Sequence, residues 1–261
     1  MHVGAGPSQH DPTLRFIGEA KIAAGGEVAQ YILLTIDMLG LQLIWSTEMG
    51  VAAPFLLSLG LSKAATAAVF VAGPLSGLVV QPLIGTMSDN CRLKIGRRRP
   101  FIIIGGAICV VSLLVFGWCQ EIAGWFATRG GSAHSTLAIS FAVIAIWVLD
   151  FSINAVQAAD RALIVDTLPA SRQVVANAWA TRVSGFGAVV GFGIADLDLP
   201  NTFSWLGDSQ VKVLSILVSI SFVVAHALTC WAVTERQLLS DGSTGRVPGV
   251  LDTLRDVWRG A

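Results

Sequence analysis

Gly85-Thr-Met-Ser-Asp89-Asn-Cys-Arg92-Leu-Lys94-Ile-Gly96-Arg97-Arg98-Arg99-Pro100 is a short basic stretch set between two long apolar runs. Five cations (Arg92, Lys94, Arg97, Arg98 and Arg99) stand in it against one acid, Asp89. A polar hinge of this kind between two membrane-length runs fixes their orientation. Its ends are specific as well. Pro100 is placed in the first turn of the following helix, where a missing N–H costs nothing. Gly96 permits a tight bend, and Asp89, just past the preceding helix, is close enough to pair with the arginines.

Composition agrees with a membrane protein. The 261 residues are 54% hydrophobic and 13% charged, with a mean hydropathy of +0.69, whereas soluble domains carry about 25% charged residues. The net charge is zero, and no basic–aromatic cluster suggests nucleic acid as a partner. Cys91, Cys109, Cys119 and Cys230 show no CxxC spacing and read as small buried residues, not as a disulfide or metal framework. HExxH, GxSxG, P-loop and GxGxxG signatures are lacking, and His134 and His226 are isolated. Neither an enzyme, a metal nor a cofactor is therefore expected. The polar first 27 residues do not resemble a secretory signal.

A membrane-crossing helix needs about 20 mainly apolar residues. Six stretches qualify, at 29–57, 64–87, 100–119, 136–158, 174–195 and 212–233. Their continuity excludes a barrel, whose strands alternate over about ten residues. The fold class is an all-α membrane protein: a tail over 1–28, a six-helix bundle over 29–233, and the start of a central loop over 234–261. Lys and Arg flanking the spans divide thirteen on one side against two or three on the other, which predicts both termini in the cytoplasm. Apolar residues within 250–258 have helical spacing, as in a helix lying on a membrane or a partner.

Ionisable groups inside spans cost several kcal/mol and usually face a cavity or a partner. Asp37 and Glu48 lie eleven residues apart, nearly on one face of the first span. Asp37 reads either as an interfacial, solvated acid or as a functional one; Glu48 is deeper and reads as functional. Asp150, Asn154, Gln157 and Arg161 form a continuous polar stripe in the fourth span. That stripe is either interhelical glue or the wall of a substrate or proton path. Arg182, in the fifth span, is at a depth that allows it to pair with Asp150. Gly185, Gly187, Gly191 and Gly193 read as a close-packing face. Trp45, Trp147 and Trp179 serve equally as sugar-stacking, anchoring or packing residues.

The order GxxxD…GRRRP after a second apolar helix resembles the loop between helices 2 and 3 of the major facilitator superfamily. The seven-residue spacing from Asp89 to Gly96 is that of its glycoside–cation symporter branch. Gly73-Pro-Leu-Ser-Gly-Leu-Val-Val-Gln-Pro-Leu-Ile-Gly-Thr-Met-Ser-Asp89, the Gly96-Arg-Arg-Arg-Pro-Phe group, and Asp150-Phe-Ser-Ile-Asn-Ala-Val-Gln-Ala-Ala-Asp-Arg-Ala-Leu-Ile-Val-Asp166 look like the sucrose/maltose proton symporters, fungal members above all. Glu48 ahead of Ala53-Pro-Phe-Leu-Leu-Ser-Leu-Gly is similar to the animal and fungal members.

The resemblance implies proton-coupled symport of sucrose, maltose or a related α-glucoside, with H+ as coupling ion. It makes Asp150 a proton-coupling or sugar-contacting acid, and with the span charges and polar stripe read above this puts Glu48, Asp150, Asn154, Gln157 and Arg182 on the substrate and proton path. It makes Asp89 with Arg97, Arg98 and Arg99 a cytoplasmic gate, and Gly85, Gly96, Arg161 and Asp166 are expected to belong to it. The family has twelve helices in two halves with the substrate between them, so this chain reads as the first half, a truncated product or one that associates with a second half or a second copy. The bilayer is its other partner, with the plasma membrane expected before internal membranes. A non-transporting binding or regulatory half-transporter is the alternative, and an intramembrane enzyme a distant third.

Overall fold

The computed structural model describes residues 16–238. The surface helix expected within 250–258 lies outside the described residues, as do His2, His10 and the cations at 15, 246, 255 and 259. Six long helices make up the bundle: α1, Glu27–Ser58; α2, Lys63–Asp89; α3, Arg99–Gly117; α4, Ser132–Thr167; α5, Ala170–Ala195; and α6, Gln210–Ala232.

Local chemistry explains where these helices begin, end and deform. The first is interrupted at Ile36 and widens into a π-turn over Glu48–Ala52, just before Pro54, which has no N–H to give the turn behind it. It closes with Leu61 N–H on Leu56 O and Gly60 N–H on Leu57 O, Gly60 adopting φ +101°. This is a Schellman end, and glycine suits its left-handed residue. Ser62 then caps α2 by accepting the Ala65 N–H at 3.2 Å. A break at Phe70–Val71 and a proline within the helix, Pro82, punctuate α2.

α4 packs between α2 and α3, while α1 packs between α5 and α6 and also meets α4. Leu34, Ile44 and Leu56 of α1, Ile102 and Leu113 of α3, Ile146 and Leu149 of α4, and Leu214 and Phe222 of α6 are fully buried. The outward face is apolar too, with Leu78, Ile104, Val111, Phe186, Val189 and Trp231 exposed. Such a surface suits lipid. Two-residue strands close one end of the bundle: β1 (Phe16–Ile17) pairs antiparallel with β4 (Gln237–Leu238), and β2 (Lys21–Ile22) with β3 (Val233–Thr234).

Among the described residues, five helices are long and apolar enough to cross a membrane, against six predicted. The segment at 174–195 does fold into α5, of 26 residues, but four glycines and Arg182 dilute its apolar content. α4 runs 36 residues, well beyond the expected 136–158. The charged stretch after Gln157 that reads as punctuation is helical, and Asp160 is buried inside the bundle. Gly187 and Gly191 meet α1 closely, whereas nothing approaches Gly185 or Gly193.

Candidate functional site

The basic stretch folds back on its own flanks. Gly96 takes φ +125°, turning the chain so that the N–H groups of Arg97, Arg98 and Arg99 converge. All three donate to the Glu235 carboxylate, at 2.9, 2.8 and 2.8 Å. A negative charge at the first turn of α3 is favoured by the helix dipole and by its unpaired N–H groups. Glu235 follows α6 and β3, so this contact ties the chain beyond the last helix back to the loop.

Arg98 is the hub of the loop. Its Nε donates to Asp166 Oδ2 at 2.8 Å and its other nitrogens to Asp89, Ser88 Oγ and the Gly85 carbonyl. Burial opposes its charge, but the carboxylates of Asp166 and Asp89 outweigh that and hold its pKa above the ordinary guanidinium value. Arg97 reaches the same Asp166 oxygen at 2.8 Å. Arg99 turns away, to the carbonyls of Ile95 and Cys230. Gly85, Asp89, Gly96, Arg97, Arg98 and Asp166 thus come together, with Ser88 and Glu235 as members the sequence reading missed. Arg161 does not join them; it lines the cavity described next.

That cavity, about 980 Å3, opens among α1, α2, α4 and α5. Gln42, Trp45, Asp150, Asn154, Gln157, Arg161, Asn177, Thr181 and Ser184 line it. The polar stripe of α4 is held by α2: Gln81 Nε2 donates to Asn154 Oδ1 at 2.8 Å, and Asn154 Nδ2 donates to Ser76 Oγ at 2.8 Å. Gly73 and Gly77 leave room for Asp150 and Asn154, whose oxygens lie 3.5 and 3.3 Å from where β-carbons would stand. Neither Ser76 nor Gln81 stood out in the sequence, because a proline-interrupted apolar run gives no stripe to read.

Asp150 does not pair with Arg182. Arg182 is exposed and lies over the Trp179 ring, 5.3 Å from its centroid. Asp150 instead meets the Glu48 carboxyl within hydrogen-bonding range, the two being 1% and 2% exposed. Asp37 is not at a solvated interface either. It is fully buried, within hydrogen-bonding range of Asp160. Among the described residues, no Lys, Arg or His forms an ion pair with any of these four acids. No group of three or more His, Cys, Asp or Glu among them is placed to hold a metal. Of the tryptophans, Trp45 faces the cavity, and Trp147 stacks on Phe151 at 6.3 Å.

Residues 37–122 match the MFS/sugar transport protein family. Over 206 residues, 79% of the chain, it is 40% identical to the general alpha-glucoside permease of Schizosaccharomyces pombe, covering 37% of that protein. A sucrose transport protein of Arabidopsis thaliana is 34% identical over 64% of the chain and 33% of its own length. Member 4 of solute carrier family 45 of Homo sapiens is 32% identical over 82% of the chain and 28% of its own. The chain therefore spans about a third of the length of these relatives. Their names are those of carriers, not of enzymes. By sequence match and by its bundle of membrane-length helices, the chain belongs to the MFS/sugar transport family.

Proposed function

We propose that the chain forms part of a proton-coupled carrier for sucrose, maltose or a related α-glucoside, working by alternating access together with a second half or a second copy of itself. The reading places both termini in the cytoplasm and the protein in the plasma membrane. One observation carries it: Asp150, whose carboxyl meets that of the buried Glu48, forms part of the wall of an amide-rich cavity. The cavity volume, about 980 Å3, is at the upper end of the ~300–1,000 Å3 of small-molecule sites. Its lining suits a sugar, with amides and hydroxyls for the sugar hydroxyls and Trp45 as an apolar platform.

Coupling follows from the pair's chemistry. Two facing carboxyls hold together by sharing a proton, one donating to the other. On losing it they repel by about 4 kcal/mol at a separation of ~4 Å and an effective dielectric of ~20. That is roughly a thousandfold bias on a two-state equilibrium. Proton loss would therefore drive α1 from α4 beside the sugar, while the Arg98 cluster with Asp89, Asp166 and Glu235 latches the cytoplasmic end.

The test is uptake of labelled maltose or sucrose into vesicles carrying the chain, driven by an inward proton gradient. Accumulation that collapses with a protonophore supports the reading. Sugar binding without flux would favour a regulatory half-transporter, and neither binding nor flux would overturn the sugar assignment.

A further inference from the structure

We propose that Asp37 and Asp160 form a second proton-binding pair, on the same α1–α4 seam as Glu48 and Asp150 but shut off from the cavity. Asp37 precedes Glu48 by eleven residues, and Asp160 follows Asp150 by ten. In antiparallel helices these offsets stack one pair about 15–16 Å beyond the other, toward the end that carries the basic loop. Neither aspartate lines the cavity; Met38, the neighbour of Asp37, does. The two are 0% and 2% exposed.

The hydrogen-bond inventory calls for a proton. Asp37 Oδ1 accepts the Met38 N–H at 2.9 Å. The other three oxygens of the pair, Asp37 Oδ2 and both of Asp160, receive no hydrogen bond from the described residues. The buried Cys109 of α3 is a further polar neighbour, close enough to feel the charges of both Asp160 and Glu48. Cys230 of α6 is a neighbour of both acids and also of Glu235 and of Arg99, which donates to its carbonyl. Both thiols are neutral neighbours, and the charges of Arg99 and Glu235 oppose one another. Two carboxylates in such a place would repel without compensation. One shared proton supplies the missing O–H donor and removes one charge.

Within the proposed carrier, on which this step alone rests, the pair would bar α1 from leaving α4 at the loop end until its proton departs. Proton occupancy itself does not depend on transport. It is read by infrared difference spectroscopy of the chain in lipid nanodiscs, through the carbonyl stretch of protonated carboxyls at neutral pH. One component of that band is expected to vanish in Asp37→Asn and in Asp160→Asn and to persist in Glu48→Gln. Persistence of the full band in both asparagine variants overturns the proposal. Should either variant fail to insert, aspartate carrying a 13C carboxyl in the Asp150→Asn chain reads the same band. An isotopic downshift supports the pair, and an unshifted band overturns it. A shifted band without sugar uptake would refute the carrier reading and leave the pair intact.

Discussion

A β-carbon on Gly96 would lie 2.5 Å from Glu235 Oε1. The carboxylate therefore reaches the three N–H groups of Arg97 to Arg99 only because position 96 has no side chain, and the same residue holds φ +125°. Gly96→Ala should destabilise the chain twice over, by about 1–3 kcal/mol from backbone strain and again by displacing Glu235. Glu235→Ala leaves three donors without their carboxylate and should cost about 4 kcal/mol or more, charged hydrogen bonds being worth about 1.5–3 each. Thermal unfolding in detergent checks both. The double variant should cost less than the sum, since both changes break one contact.

Arg98 and Arg99 are adjacent but not equivalent. Arg98 has a nearly buried side chain, paired with Asp166 and Asp89, while the Arg99 side chain donates to the carbonyls of Ile95 and Cys230. Arg98→Lys cannot reproduce the guanidinium fork and should cost about 2–4 kcal/mol, in line with broken buried pairs. Asp89 is 57% exposed, so Asp89→Asn should cost less than about 1 kcal/mol, and Asp166→Asn more than Asp89→Asn. A larger loss from Asp89 than from Asp166 would contradict this ordering.

The glycines of α5 divide by what they meet. A β-carbon on Gly191 would lie 2.6 Å from the Ser46 Cβ on α1, whereas one on Gly193 meets nothing within 4 Å. Gly191→Ala should therefore cost about 1–3 kcal/mol through overpacking. Gly193→Ala should be neutral or gain up to ~1 kcal/mol from helix propensity. Melting temperatures of the two variants, compared with wild type, decide the matter.

The sequence makes the bundle legible, because long apolar runs and a basic hinge are local signals. The polar stripe of Asp150, Asn154 and Gln157 is legible for the same reason: helical periodicity places those residues together. Partnerships across helices are not. Depth alone allowed Asp150 to meet Arg182, but it does not specify rotation about the helix axis, and α1 presents Glu48 from a π-turn instead. Asp160 was hidden by its neighbour Arg161 in what read as a charged break. Glu235 was hidden because a single acid after the last span has no pattern until the chain folds back onto Gly96.

At the opposite end of the bundle, Lys212 Nζ donates to Asp208 Oδ1 at 2.6 Å and to Glu121. The hydrogen bond and charge of Lys212 lower the Asp208 pKa below its ordinary value. A carboxyl with a depressed folded pKa stabilises the fold above its unfolded pKa and loses that contribution as pH falls through the folded value. The melting-temperature gap between wild type and Asp208→Asn should thus be full at neutral pH and close in acid, below the ordinary carboxylate range. Asp208 is exposed, so the gap should be small and shrink with salt. A gap that widens in acid would reverse the sign.

Glu48 and Asp150 invite a swap test, because a pair that works by contact needs its combined reach more than either side chain. Glu48→Gln and Asp150→Asn each keep a hydrogen bond across the seam but remove the shared proton. Under the proposed function both should lose accumulation of sugar by tenfold or more while retaining exchange of labelled for unlabelled sugar. Glu48→Asp alone opens the pair by about one methylene, and Asp150→Glu alone crowds it. The double swap Glu48→Asp/Asp150→Glu restores the total length and should recover most of the accumulation that either single change loses. Recovery would show that the two carboxyls act as one group, as a shared proton requires. If the double swap is worse than both singles, each carboxyl acts alone, and the proton is not held between them.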